Sequence, residues 1–138
     1  MTRAELKSLS KIRLKEAKIL KDNGCYEGAA YLTGYSLELA LKARICKILD
    51  ADYPDTGDLG KVYKTHNFDQ LIRLGGIRKK FDDKAAADPD FQLNYSTING
   101  WNESWRYESG KTVLFVEKLL VALENPGNGI LSWLKKIW

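Results

Sequence analysis

The stretch from Tyr26 to Arg44 reads as a helix that is apolar on more than one face. A helix of that kind is stable only in the middle of a bundle, with other helices covering it. Yet it carries a carboxylate, Glu38, and an ammonium, Lys42, one turn apart. Charges inside an apolar helix must be paired, hydrogen-bonded or used. Tyr31 and Tyr35 fall on the same stripe as Glu38 and Lys42 at helical spacing. The stripe has two readings: an interior ion pair whose network is closed by tyrosine hydroxyls, or a polar pocket for a ligand. Either way, removing one partner of a buried pair is expected to cost about 3–5 kcal/mol.

The pattern around this helix extends the all-α reading. Residues 4 to 22 form an amphipathic helix through Leu6, Leu9, Ile12, Ala17 and Leu20, with Lys7, Lys11, Lys15 and Lys18 on another, solvated face. Asn23-Gly24 ends it, with Gly24 as the cap. The central helix runs from Tyr26 to Leu49, and Gly34 in its middle signals close approach of a neighbouring helix or a ligand. Asp50 to Gly60 is a loop punctuated by Pro54, Gly57 and Gly60. A short helix follows, capped by Asn67 with Gln70 in the capping-box position and ended by Gly75. Arg78 to Lys84 is a solvated mixed-charge segment, open to a helical reading. Asp88-Pro89-Asp90 opens an element holding Phe91, Leu93, Tyr95 and Ile98.

After an aromatic turn, Gly100 to Tyr107, a helix runs from Lys111 to Glu124, with Ser109 as its cap. Val113, Val116, Leu119, Leu120 and Leu123 face inward. Asn125-Pro126-Gly127 breaks it, and Ile130 to Trp138 forms a last amphipathic helix. No segment reads as a strand. The expected fold is an antiparallel up-and-down bundle of four or five main helices with a short helical insertion, one domain over residues 1–138.

Composition narrows the function classes. A formal net charge of +4 permits a polyanionic partner without requiring one. No apolar run approaches the roughly 20 residues that span a bilayer, and no signal-like segment follows Met1. Cys25 and Cys46 lie too far apart along the helical pattern to bond to each other, so they read as buried thiols of a cytoplasmic protein. One histidine, His66, and two cysteines without close spacing give no metal site, and no cofactor motif holds up. Gly110-Lys111-Thr112 ends like a phosphate-binding loop, but Trp105 stands where the motif needs glycine. Gly127-Asn128-Gly129 lacks the third glycine and the strand of a dinucleotide fingerprint. Trp101, Trp105, Arg106 and Tyr107 form a second cluster, suited to internal packing or to stacking a ligand, with Arg106 in reach of Glu38.

Three segments resemble the HEPN family (higher eukaryotes and prokaryotes nucleotide-binding). They are the helix running into Tyr35-Ser36-Leu37-Glu38-Leu39-Ala40-Leu41-Lys42-Ala43, the segment Trp101-Asn102-Glu103-Ser104-Trp105-Arg106-Tyr107, and the terminal Trp133-Leu134-Lys135. The resemblance implies a helical bundle, usually a homodimer. Many relatives are metal-independent ribonucleases of toxin–antitoxin or defence systems. Those use an arginine and a histidine separated by four to six residues, and the dimer pairs two such motifs. Here Leu59, Gly60 and Lys61 stand at the upstream positions of His66, and Lys111, Thr112 and Val113 at the downstream positions of Arg106. Lysine at 61 lacks the bidentate fork of arginine toward phosphate.

The resemblance therefore implies a non-catalytic binding or partner module for a nucleotide or RNA, or the partner of a nucleotidyltransferase-type protein. The candidate ligand residues are Tyr31, Tyr35, Glu38, Lys42, Trp101, Trp105, Arg106 and Tyr107. The alternatives are a diverged ribonuclease using His66, Arg106 or Lys61, and a structural subunit that covers a partner protein. The apolar surface of Trp133, Ile137 and Trp138 points to the dimer contact.

Overall fold

The computed structural model describes residues 1–138. It is an antiparallel helical bundle without strands. The long helices are α1 (Arg3–Asp22), α2 (Tyr26–Leu49), α6 (Pro89–Ile98) and α7 (Val113–Glu124). Three further helices, α3 (Gly57–Tyr63), α4 (Phe68–Leu74) and α5 (Arg78–Ala87), form the insertion, and α8 (Ile130–Leu134) closes the chain.

Helices α1 and α2 make the most extensive helix pair. Thr2 starts α1 with a reciprocal capping box, accepting from the Glu5 amide while the Glu5 carboxylate accepts from the Thr2 amide. Gly24, at φ +78°, follows its end in the left-handed region that glycine tolerates. The two helices run antiparallel: buried Ser10 donates to the Ser36 carbonyl at 2.7 Å, and Leu20 approaches Gly28. Fully buried Ala17, Ala29, Ala30 and Ala40 let other elements approach closely. One apolar cluster then continues from Leu6 through Leu37, Leu71, Phe91 and Leu119 to Trp138.

Several local expectations are corrected. The loop from Asp50 to Gly60 gives way at Gly57 to α3, a seven-residue helix without a side-chain cap. The segment from Arg78 is the full helix α5, held to the core by buried Phe81. Thr112, not Ser109, caps α7 by accepting from the Phe115 amide, so the helix starts at Val113. Val113 is exposed rather than inward-facing. Cys25 is exposed in the turn before α2, and only Cys46 is buried. The lysine face of α1 is partly engaged: Lys7 and Lys11 lie over the Trp138 ring, and Lys18 pairs with Glu124 of α7 at 2.7 Å.

The terminal segment also departs from expectation. Helix α8 ends at Leu134, and its apolar side chains are covered by the chain itself. Trp133 packs edge-on against Phe81 and Phe91, and Trp138 is 6% exposed. The apolar surface invoked for a dimer contact at this end is therefore used internally.

Candidate functional site

Glu38 is fully buried on α2, and both of its carboxylate oxygens are occupied. Oε1 accepts from Lys42 Nζ at 2.7 Å, one helical turn on. Oε2 meets His66 Nδ1 at 2.9 Å, across 28 residues of sequence. Lys42 is mostly buried, its ammonium 5.3 Å from the centre of the Tyr53 ring. The His66 side chain is half exposed. Bonding to a carboxylate puts the proton on Nδ1 and directs Nε2 away from Glu38.

His66 belongs to a cleft of about 390 Å³ between the segment Lys64–Asn67 and the segment Trp101–Glu103. Two asparagines line it. The Asn67 carboxamide oxygen caps α4 by accepting from the Gln70 amide, and the Asn102 oxygen accepts from the Ser104 amide. Those bonds orient each carboxamide and leave its NH₂ group as a donor. Lys64 and Thr65 continue into a groove of about 480 Å³ that also takes in Lys61 and Arg73. The wall is therefore rich in N–H donors and cations, with Glu103 as the one carboxylate on the cleft.

Trp101 fixes one side of this cleft. Its indole sits in the notch left by Gly34, where an added Cβ would lie 2.1 Å from Trp101 Cδ1. The close approach signalled by that glycine is thus an indole of the chain itself. Trp101 Nε1 donates to the Tyr31 carbonyl at 3.0 Å, and the ring stacks with Tyr31 and Phe68. At 6% exposure, little of its face is left for a base.

Half-buried Tyr31 also stacks with Tyr35. Burial pushes both phenols above the usual tyrosine range; the Arg106 guanidinium acts in the opposite direction on Tyr31, and the Glu38 carboxylate reinforces the effect on Tyr35. Burial first, then Glu38, raises Tyr53 further still.

The other sequence candidates divide. Arg106 does not reach Glu38, whose oxygens are taken; it is exposed and lies over the Tyr107 ring at 4.9 Å. Tyr107 itself is 80% exposed. Trp105 is buried against Phe115 of α7, with the Lys111 ammonium over its ring, a packing role. Lys61 is exposed on α3 and pairs with Asp58 at 3.5 Å. The structure thus joins Glu38, Lys42 and His66, sets Tyr31, Tyr35 and Trp101 beside them, and leaves Lys61, Trp105 and Tyr107 outside. No three metal-ligating side chains converge.

A second buried charge on α2 escaped the sequence reading. Arg44 is 7% exposed, donating from Nε to the Gly75 carbonyl at 3.0 Å and from Nη1 to the Ile137 carbonyl at 2.8 Å. Lys47 donates to the same Ile137 oxygen, and Arg3 to the Trp138 carbonyl. The available signal was an arginine between Ala43 and Ile45 in a run otherwise fit for the core.

No helix is long and apolar enough to cross a membrane. No family model, curated protein or solved structure matches the chain.

Proposed function

We propose that this chain is a HEPN-like binding module that takes a phosphate-bearing ligand, a nucleotide or an RNA segment, in the His66 cleft without cleaving it. One observation carries the reading: buried Glu38 holds His66 by one oxygen and Lys42 by the other, at a cleft that Lys64, Asn67 and Asn102 line with donors and Glu103 with the one carboxylate. Phosphate oxygens accept from such donors, and a charged partner makes those bonds shorter and stronger. Cleft size is in the range of small-ligand sites. Lys64, Lys61 and Arg73 extend the cationic wall for a longer polyanion. A nucleotidyltransferase-type protein is the natural companion for a module of this kind, following the family likeness.

The diverged ribonuclease is the second reading, favoured by the oriented imidazole. A carboxylate behind a histidine is the arrangement general-base chemistry needs. Cleavage also requires a group to protonate the leaving oxygen, and a cation on the scissile phosphate. Arg106 stacks on Tyr107 and Lys61 pairs with Asp58, so neither is held at His66 within one chain.

A thermal-shift screen against nucleotides, run beside a cleavage assay on single-stranded and structured RNA, separates the readings. A ligand at 100 times its dissociation constant stabilises by about 2.7 kcal/mol. The binding reading expects such a shift, its loss in His66→Ala, and intact RNA. RNA cleavage that disappears in His66→Ala would replace it with the ribonuclease.

A further inference from the structure

We infer that Asn99 is a covalent modification site, where the folded chain deamidates with water as the only co-reactant. Asparagine is followed by glycine at three positions: Asn23-Gly24, Asn99-Gly100 and Asn128-Gly129. Such a pair can react with itself. The glycine amide nitrogen gives up its proton and attacks the asparagine Cγ. A bond forms between them, the bond from Cγ to the side-chain nitrogen breaks, and that nitrogen leaves as ammonia. Water then opens the five-membered imide at either carbonyl, leaving aspartate or its isomer isoaspartate. Glycine favours the attack because no side chain crowds its nitrogen and its backbone turns freely.

The fold protects two of the three pairs. The Gly24 amide donates to the Lys21 carbonyl at 3.1 Å, and the Asn23 carboxamide is held on the Ile19 carbonyl at 2.8 Å. Gly129 is buried and donates to the Asn125 carbonyl at 2.8 Å, while the Asn128 carboxamide oxygen accepts from Asn94 at 3.1 Å. At the third pair both reacting groups are free. Asn99 and Gly100 are exposed, just past the end of α6. The Gly100 amide donates to no group of the chain, and the Asn99 carboxamide makes no hydrogen bond. Asn99 lies at φ −68° and ψ −12°, so ψ must turn before the nitrogen can meet Cγ. The one main-chain bond holding the pair runs from the Asn99 amide to the Tyr95 carbonyl, in a helix end of the kind that opens most readily.

The product places a carboxylate at the carbonyl end of α6, where the helix dipole disfavours negative charge. Isoaspartate also lengthens the main chain by a methylene two residues before Trp101, which walls the His66 cleft.

The purified full chain, held in warm, mildly alkaline buffer and followed by peptide mass mapping, tests the assignment. Proton loss from the Gly100 nitrogen starts the reaction, so conversion should quicken as pH rises. The peptide holding Asn99 should gain the mass difference between a hydroxyl and an amino group, with fragmentation placing the gain at position 99. It should also split into two chromatographic forms, one for each isomer. Asn23 and Asn128 should stay unchanged over the same period. In denaturant the protection should vanish, and all three pairs should convert at comparable rates. Gly100→Ala should slow conversion by about tenfold or more, because the methyl crowds the attacking nitrogen and restricts the backbone. That variant should keep the wild-type melting temperature, since an added Cβ at position 100 meets only the Thr97 carbonyl, at 3.8 Å. Asn99 that stays intact in the native chain overturns the proposal. So does equal conversion at the three pairs before denaturation, a pattern that denaturant leaves unchanged, or a Gly100→Ala variant that converts as fast as the wild type.

Discussion

Helix α2 buries two charges, Glu38 and Arg44, and satisfies them in opposite ways. Arg44 donates to main-chain carbonyls, Gly75 and Ile137, that are fixed parts of the fold. It ties α2 to the end of α4 and to the segment after α8. Glu38 instead bonds two side chains, one of which, His66, stands half in solvent. A buried charge answered by backbone is a staple, since its partners have no other state. A buried charge answered by ionisable side chains that reach water passes its influence outward, to a place where a ligand can read it. The same burial on the same helix therefore carries two meanings, and the partner decides between them.

The contrast is open to measurement, and the largest effect is expected at the staple. Arg44→Ala should lower unfolding free energy by about 2–4 kcal/mol, because buried charge-assisted bonds and packing are lost together. Chemical denaturation measures it; a loss within error would mean that Arg44 is not the tie described. Glu38→Gln should cost less, about 1–2 kcal/mol. This falls below the buried-pair loss expected from sequence, because Lys42 and His66 can turn toward water. A loss in Glu38→Gln greater than in Arg44→Ala would reverse the comparison.

Alkali should expose the Glu38 side by another route. Burial holds Tyr53 and Tyr95 neutral in the fold, and the Glu38 carboxylate adds to the effect on Tyr53. Folded phenols that keep their protons longer than unfolded ones contribute fully below about pH 10. That contribution is lost as pH rises beyond it. The melting temperature should therefore fall through the alkaline range, and less steeply in Tyr53→Phe. Equal slopes would remove Tyr53 from the network. The smallest stability effect belongs to His66→Ala, about 1 kcal/mol, since Glu38 loses one bond but water can reach the place of the half-exposed ring. Its loss should be seen in nucleotide binding, and a melting temperature that drops as far as in Arg44→Ala would make His66 a second staple.

The difference between the two charges also explains what could be read from the sequence. Glu38 and Lys42 stood out because both lie on one continuous helix, where spacing alone sets them side by side. The third member, His66, arrives through the turn after α3, and no local rule fixes where such a turn carries an imidazole. Arg44 escaped for a related reason. A cation toward the end of a helix is favourable on dipole grounds alone, so the residue type did not reveal that carbonyls from two distant segments converge on it. The long helices followed from periodicity, and their boundaries from capping residues except at the start of α7, where Thr112 rather than Ser109 caps the helix. Helix α3 did not, since it begins at a glycine and interrupts a stretch rich in turn residues. The terminal tryptophans misled because apolar content signals burial without saying which chain provides the cover.

The notch at Gly34 has a consequence for how such a chain can vary by descent. A methyl group at position 34 would overlap the Trp101 indole, and a smaller side chain at 101 would leave the notch empty. Neither position can drift alone without loss of stability, although exposed sites elsewhere in the chain could change with little effect. The two should be inherited as one character, glycine with tryptophan or a larger residue with a smaller one, and a lineage that exchanged both would keep the wall of the His66 cleft while rewriting its composition.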